Sequence, residues 1–258
     1  MSKHHRNRNW APAPQPLPED AHVIDNHTHV ASVVPFSQAM SHEAMEKGQG
    51  EVPVYSVDEL LEQAQKVGVE GVIDCGCELP NLMTAIDMAR EHPGTVHAAI
   101  AIHPNEAVLH GHRGAPGPDG LPIKYKPWHD IPFDEAMAEV HRLATTYPNQ
   151  VVAIGETGMD LFRTGESAKE LQREAFRAHI ALAKELNLPM QIHDRDSHKE
   201  VIETLLADGA PNVPCSTVTP ATPKWAKSPA KTVGISAFPA HPATKATTES
   251  ANRRNSSA

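Results

Sequence analysis

Two histidines one residue apart, His27 and His29, close the apolar stretch "VIDNHTHV". On an extended strand alternate side chains share a side, so both imidazoles point the same way. Two imidazoles converging at a strand end can bind one divalent ion, although His-x-His in a chain with 17 histidines can also arise by coincidence. Glu156 follows an apolar run and a glycine in "VVAIGETGMD". A carboxylate there can bridge two ions, one on each oxygen, or serve as a helix cap or salt-bridge partner. His193 ends "LPMQIH", with Arg195 close behind. A lone histidine there could be a core residue, but convergence with His27, His29 and Glu156 makes a ligand the better reading. Asp25 is a candidate second-layer partner that orients the imidazoles. "AIHPNEA" adds His103 and Glu106, for which contact with substrate phosphate and a structural role are both open. Cys75 and Cys77 alternate without an accompanying metal motif and read as small buried hydrophobes.

These residues need a frame that gathers them. Short apolar runs alternate with longer helical patterns: "AHVIDNH", "VEGVIDCGC", "VHAAIAIH", "VVAIGE" and "LPMQIH" read as buried strands. Helical stretches lie between them, among them "SVDELLEQAQKVG", which Ser56 can cap, and "SAKELQREAFRAHIALAKELN", with Leu171, Ala175, Ala178, Leu182 and Leu186 near one face. The segment between the first strand and Ser56, and that over 104–132, read as irregular insertions. Strict strand–helix alternation implies a parallel sheet, because parallel neighbours need helical crossovers. His27, His103, Glu156 and His193 fall at the C-terminal ends of strands 1, 3, 4 and 5. A (β/α)8 TIM-barrel arrangement rings those ends around one mouth, whereas an open doubly wound sheet would spread them. The expected fold is therefore the α/β barrel type, with about five βα units.

The 258 residues carry 32 acidic and 23 basic side chains, a formal net charge of −9, which argues against a protein that coats nucleic acid. With hydrophobic residues at 40%, a sizeable core is possible. Residues 1–20 form a basic, proline-rich arm without an apolar signal region, and no apolar run is long enough to span a membrane. Three cysteines make no disulfide or zinc framework. The expectation is a cytoplasmic protein with a disordered arm over 1–20, a partial barrel over 21–210 and a low-complexity, disordered tail over 211–258.

In "VIDNHTHV", "AIAIHPNEA", "VVAIGETGMDLF" and "LQREAFRAHIALAKELNLPMQIHDRDSHKEVIETL", taken in order, the chain resembles the TatD family of metal-dependent deoxyribonucleases, within the amidohydrolase-like barrel superfamily. The resemblance implies that His27 and His29 bind one ion, that Glu156, counted as catalytic, bridges two, and that His193 binds the second. It implies two divalent ions, Mg²⁺, Mn²⁺ or Zn²⁺, and hydrolysis of DNA phosphodiesters, often single-stranded and from the 3′ end. Arg195, His103 and Glu106 are the candidate substrate contacts.

The resemblance stops at Pro211. The family's later histidine, in a motif like H-C-F-S-G, and its aspartate, in one like E-T-D-A-P, have no counterpart here; Cys215 and Ser216 only echo the first. Codons permitted by "NVPCSTVTPATPKW", shifted by one nucleotide, are compatible with R-T-V-F-H-C-Y-S-G-D-A-E-M, and "KTVGISAFPA" with E-N-G-W-Y-L-S-F-S-G. The expectation is a frameshift near Asn212 and a truncated chain of weak or no activity. Two other readings stay open: a superfamily hydrolase of a small ester, amide or lactone, and a non-catalytic remnant.

Overall fold

The computed structural model describes residues 16–18, 23–48, 54–114, 122–211, 215–219 and 235–239. Five strands, β1 (Val23–Thr28), β2 (Val69–Gly76), β3 (Val96–Ile100), β4 (Val151–Asp160) and β5 (Met190–Arg195), pair in parallel in sequence order. The helices between them are α1 (Val30–Glu46), α2 (Val57–Lys66), α3 (Leu79–Glu91), the single turn α4 (Pro104–Ala107), α5 (Phe133–Thr146) and α6 (Lys169–Leu186), with α7 (His198–Asp208) after β5. This is the α/β arrangement of a TIM barrel; among the described residues the strand order ends at β1 on one side.

The sheet then runs on. β6 (Cys215–Thr219) pairs with β5, and β7 (Ile235–Pro239) pairs with β6, both in parallel. Strands thus stand within the stretch after Pro211 where the sequence suggests a tail without structure. The backbone edge of β5 offers unpaired groups to whatever follows, and short runs such as "CSTVT" and "ISAFP" can accept that pairing despite the prolines around them. Of the arm over 1–20, only residues 16–18 are described; there Leu17 N–H donates to the Val67 carbonyl at 3.0 Å.

The core lies between the sheet and its helices. Ile100, Ile102, Ile154 and Ile192, from β3 to β5 and their ends, are fully buried. They share a continuous core with Leu82 and Ile86 of α3, Val140 of α5, and Phe176 and Ile180 of α6. Ser56 does cap α2: its hydroxyl accepts from Glu59 N–H at 3.2 Å while its own N–H donates to the Glu59 carboxylate at 2.7 Å, a reciprocal box. Two readings shift. Among the described residues the first strand pairs with β2 alone, and Ile24 is 59% exposed instead of buried. The presumed insertion after it is helix α1, which runs through Pro35 and takes a cap from another element: Asp74 Oδ1 on β2 accepts from Ala31 N–H at 3.3 Å.

Candidate metal centre

Glu156 stands inside β4 between two close approaches to β5. A Cβ on Gly155 would lie 2.5 Å from the Gln191 Cβ, and one on Gly158, whose φ is +144°, only 2.1 Å from the His193 carbonyl oxygen. The two glycines let the strands pack close enough for the Glu156 carboxylate to reach His193, whose Nδ1 is 2.7 Å from Oε1. Oε2 of the same carboxylate faces β1: it is 3.6 Å from His27 Nε2 and 3.7 Å from His29 Nε2. His103, at the N-cap of α4, completes the ring, with Nε2 3.2 Å from His193 Nδ1 and 4.0 Å from Glu156 Oε2. Two donor groups result, His27–His29–Glu156 and His103–Glu156–His193, and Glu156 belongs to both.

Hydrogen bonds fix which nitrogen is free on His27 and on His103. Gln191 donates its Nε2 to the Asn26 carbonyl, leaving its Oε1 to accept from the Cys75 thiol at 2.8 Å. Burial, reinforced by Cys77 and Glu156, pushes the Cys75 thiol well up, so it keeps that proton. Its sulfur therefore accepts from His27 Nδ1–H at 3.4 Å, which turns the bare Nε2 of His27 toward Glu156. Burial also lowers the pKa of His27, only partly offset by Glu156, and so keeps the ring in the neutral form a ligand needs. His103 is set the other way. Its Nδ1 accepts from Asn105 N–H at 3.2 Å, so Nε2 carries the proton and, in this form, cannot ligate an ion, which leaves Glu156 and His193 as the ligands of the second group. Burial and the neighbouring His193 hold its pKa down to about 3, and the neutral ring is a hydrogen-bond donor toward the site.

Behind His193 stands Asp160. Its Oδ2 lies 3.0 Å from His193 Nε2 and accepts from Asn105 Nδ2 at 2.9 Å, while Oδ1 accepts from the N–H groups of Phe162 and Arg163 at 3.1 and 2.8 Å. Burial opposes ionisation of Asp160, but the bonds from His193 and Asn105 prevail and hold its pKa down to about 2. Burial likewise disfavours charge on Glu156, yet the His193 bond and the surrounding imidazoles keep it ionised, well below the usual carboxylate range. Between two carboxylates His193 is driven the opposite way: they outweigh burial and raise its pKa to about 9, so an ion bound at Nδ1 would have to displace the proton shared with Glu156.

The donor set fits divalent ions. An ionised carboxylate turns one oxygen to each histidine group, His27 presents a bare nitrogen, and His193 carries the outer carboxylate that fixes the tautomer of a ligating imidazole. His27, His29, His103, Glu156 and His193 are thus brought together. Three other candidates lie elsewhere. Asp25 accepts from the backbone N–H of His27 at 3.2 Å, not from an imidazole. The Arg195 guanidinium stacks on the Phe162 ring at 3.9 Å. Glu106 Oε2 is taken by His129 Nε2 at 2.7 Å and by Trp128 Nε1 at 3.4 Å. Sequence reasoning passed over Asp160, Asn105 and Gln191 and took Cys75 for a plain hydrophobe. Asp160 alone had a local signal, as the last polar residue of "GETGMD". Beside the site, a cleft of about 510 Å³ is lined by His29, Ser32, Cys77, Glu78 and Asn81, among others. No helix among the described residues is long and apolar enough to cross a membrane.

A family model described as "TatD related DNase" matches residues 24–246. The chain is 33% identical over 154 residues to a metal-dependent hydrolase, YabD, of Bacillus subtilis, covering 60% of this chain and 50% of that protein. It is 32% identical over 148 residues to the 3′-5′ ssDNA/RNA exonuclease TatD of Erwinia tasmaniensis, covering 57% and 48%. The chain spans about half the length of the curated relatives it matches. Among solved structures, a TatD homolog of Escherichia coli, YjjV, superposes with a TM-score of 0.52 at 23% identity, covering 77% of this chain and 60% of that one, a likeness of fold.

Proposed function

We propose a function for this chain from one premise: it belongs to the family of TatD-related DNases. The proposed reaction is hydrolysis of phosphodiester bonds in single-stranded nucleic acid, dependent on two divalent ions at the strand ends. One observation carries it. The two oxygens of Glu156 face different histidine groups, Oε1 toward His193 and Oε2 toward His27 and His29, which is the arrangement of a bridging carboxylate. The names of several relatives, which describe 3′-5′ ssDNA/RNA exonucleases, support the choice of substrate.

Divalent ions held there would supply Lewis acidity toward a phosphodiester and make a water nucleophilic near neutral pH. The chain's own residues do the rest. Glu156, His27, His29 and His193 hold the charge in place, and Asp160 keeps the His193 ring from rotating. His103, protonated on Nε2, offers a donor to an anionic oxygen. The cleft beside His29 gives the strand a path. The family's later histidine and aspartate have no match in this sequence, so the turnover expected of this chain is below that of a relative that has both.

The test is incubation of the purified chain with 3′- and 5′-labelled single-stranded DNA and RNA, with Mg²⁺, Mn²⁺ or Zn²⁺ and with EDTA, beside generic esters and lactones. Strands shortened stepwise from the 3′ end, with divalent ion and not with EDTA, are the expected result. The acidic balance of the chain, net −9, favours a second reading, hydrolysis of a small ester, amide or lactone. Turnover of those compounds with the strands left intact would select it. Ion binding without any hydrolysis would mark a non-catalytic chain.

A further inference from the structure

Glu106, the His129 and Trp128 side chains bonded to it, and Tyr125 beside His129 have no part in the donor groups. The stretch "KYKPWH" over 124–129 interleaves two lysines with Tyr125, Trp128 and His129, in a chain whose overall charge is negative. His129 is buried, and its Nδ1 accepts from Lys126 N–H at 2.9 Å. Its Nε2–H therefore donates to Glu106 Oε2, at 2.7 Å, and Trp128 Nε1–H donates to the same oxygen at 3.4 Å. The Trp128 ring lies edge-on to His129 at 5.6 Å, and the Tyr125 ring lies 4.4 Å from that of His112. His112 is in turn bonded to Asp130 at 2.5 Å. The rings are thus fixed in place before any ligand arrives. Tyr125 is nevertheless 43% exposed, and Lys124 and Lys126 are exposed on either side of it, an arrangement a packed loop core does not require.

Position ties this group to the proposed site. Glu106 lies on α4, three residues past His103, and its N–H donates to the His103 carbonyl at 2.9 Å. Burial and the Glu106 carboxylate raise the pKa of Glu78, which lines the cleft beside His29, and the Lys126 ammonium pulls it the other way, so Glu106 and Lys126 both lie within electrostatic reach of the cleft wall. A strand leaving the cleft on this side would meet an exposed ring flanked by two cations.

We propose that Tyr125, supported by His112 and His129 and flanked by Lys124 and Lys126, is a stacking platform for unpaired nucleobases of a single-stranded nucleic acid. The proposal rests on the reading of the site as a nuclease. Rings stack on any base face, and lysines track the backbone without reading sequence, so the platform would tolerate any base but need one to be present.

The experiment measures binding, not cleavage. The probes are a fluorescently labelled phosphorothioate DNA of about ten nucleotides, which resists hydrolysis, and the same backbone with abasic positions, each titrated with the full chain in Mg²⁺. Tyr125→Ala should weaken binding of the base-bearing strand about tenfold and leave the abasic strand within about twofold, while Tyr125→Phe keeps the wild-type affinity for both. Equal affinity of Tyr125→Ala and wild type for the base-bearing strand would overturn the platform alone. So would equal weakening for both strands, which would mean a lost fold or phosphate contact. Failure of the wild-type chain to bind the base-bearing strand at all would overturn the nuclease reading as well.

Discussion

Asp160 holds His193 from the side opposite Glu156, with Oδ2 3.0 Å from Nε2 while Nδ1 faces the Glu156 carboxylate at 2.7 Å. An outer carboxylate of this kind fixes ring orientation and raises ligand basicity, an effect commonly worth 10- to 100-fold in ion affinity. Asp160→Asn should therefore lower Mn²⁺ affinity at the His193 half of the site by about tenfold, measured by calorimetry. The amide can still accept from the N–H groups of Phe162 and Arg163, but its Nδ2 cannot accept from Asn105, so the thermal midpoint should fall modestly as well. Unchanged ion affinity would remove Asp160 from the site.

Glu156 and His27 should differ in kind. Glu156 belongs to both donor groups and His27 to one. Glu156→Ala is expected to weaken the binding of both ions, whereas His27→Ala should leave one ion bound per chain with affinity near that of the wild type. Stoichiometry from equilibrium dialysis separates the outcomes. Two ions retained by the Glu156 variant would contradict a bridging role.

Gly158→Ala tests the approach of β4 to β5. The added Cβ would lie 2.1 Å from the His193 carbonyl oxygen at a φ of +144° that L residues rarely adopt. Both effects destabilise, by about 2 kcal/mol or more together, which urea unfolding would show. A loss under about 0.5 kcal/mol would mean that the strands can part at no cost.

His179 makes stability depend on pH. Its Nδ1–H donates to the Ala175 carbonyl at 2.8 Å and its Nε2 accepts from Ile102 N–H at 3.1 Å, so only the neutral ring satisfies both partners. Burial lowers its pKa from 6.5 to about 4. The unfolded chain takes up the proton first, so this contribution is whole above pH 6.5, shrinks as pH falls toward 4 and changes little below that. Its full size is about 3 kcal/mol. In denaturant titrations across this window, the stability of the wild type should fall more steeply with acid than that of His179→Gln. Parallel curves would refute the assignment.

The strand–helix alternation and the residues at the strand ends were legible because each depends on a local pattern: apolar runs, a Ser56 cap, a polar residue at the end of a run. Helix α1 was not, because "VASVVPFSQAMSHEAME" has a proline inside it and only a weak apolar stripe, and part of its cap comes from Asp74 on another strand. Glu106 stood in the sequence beside His103 and looked like a site residue. Its actual partners, His129 and Trp128, come from more than twenty residues further on, and no local spacing announces that. Asn105 and Gln191 escaped for the same reason, since an amide gains its role from the neighbours it bonds. The strands after Pro211 depend on a waiting backbone edge, which composition does not reveal.

The place of β1 at the end of the strand order has a consequence for the whole domain. Two histidines of the site hang from β1 and its end, a strand with one neighbour among the described residues, while Glu156 and His193 belong to β4 and β5 in the body of the sheet. Cations shared across that gap would act as a clasp, fastening the loosest strand to the firmest. The amides of β1 should then exchange with solvent faster than those of β4 in the ion-free chain and slow selectively when Mn²⁺ or Zn²⁺ is added. The same four side chains that are proposed to serve chemistry would also hold the first strand in place.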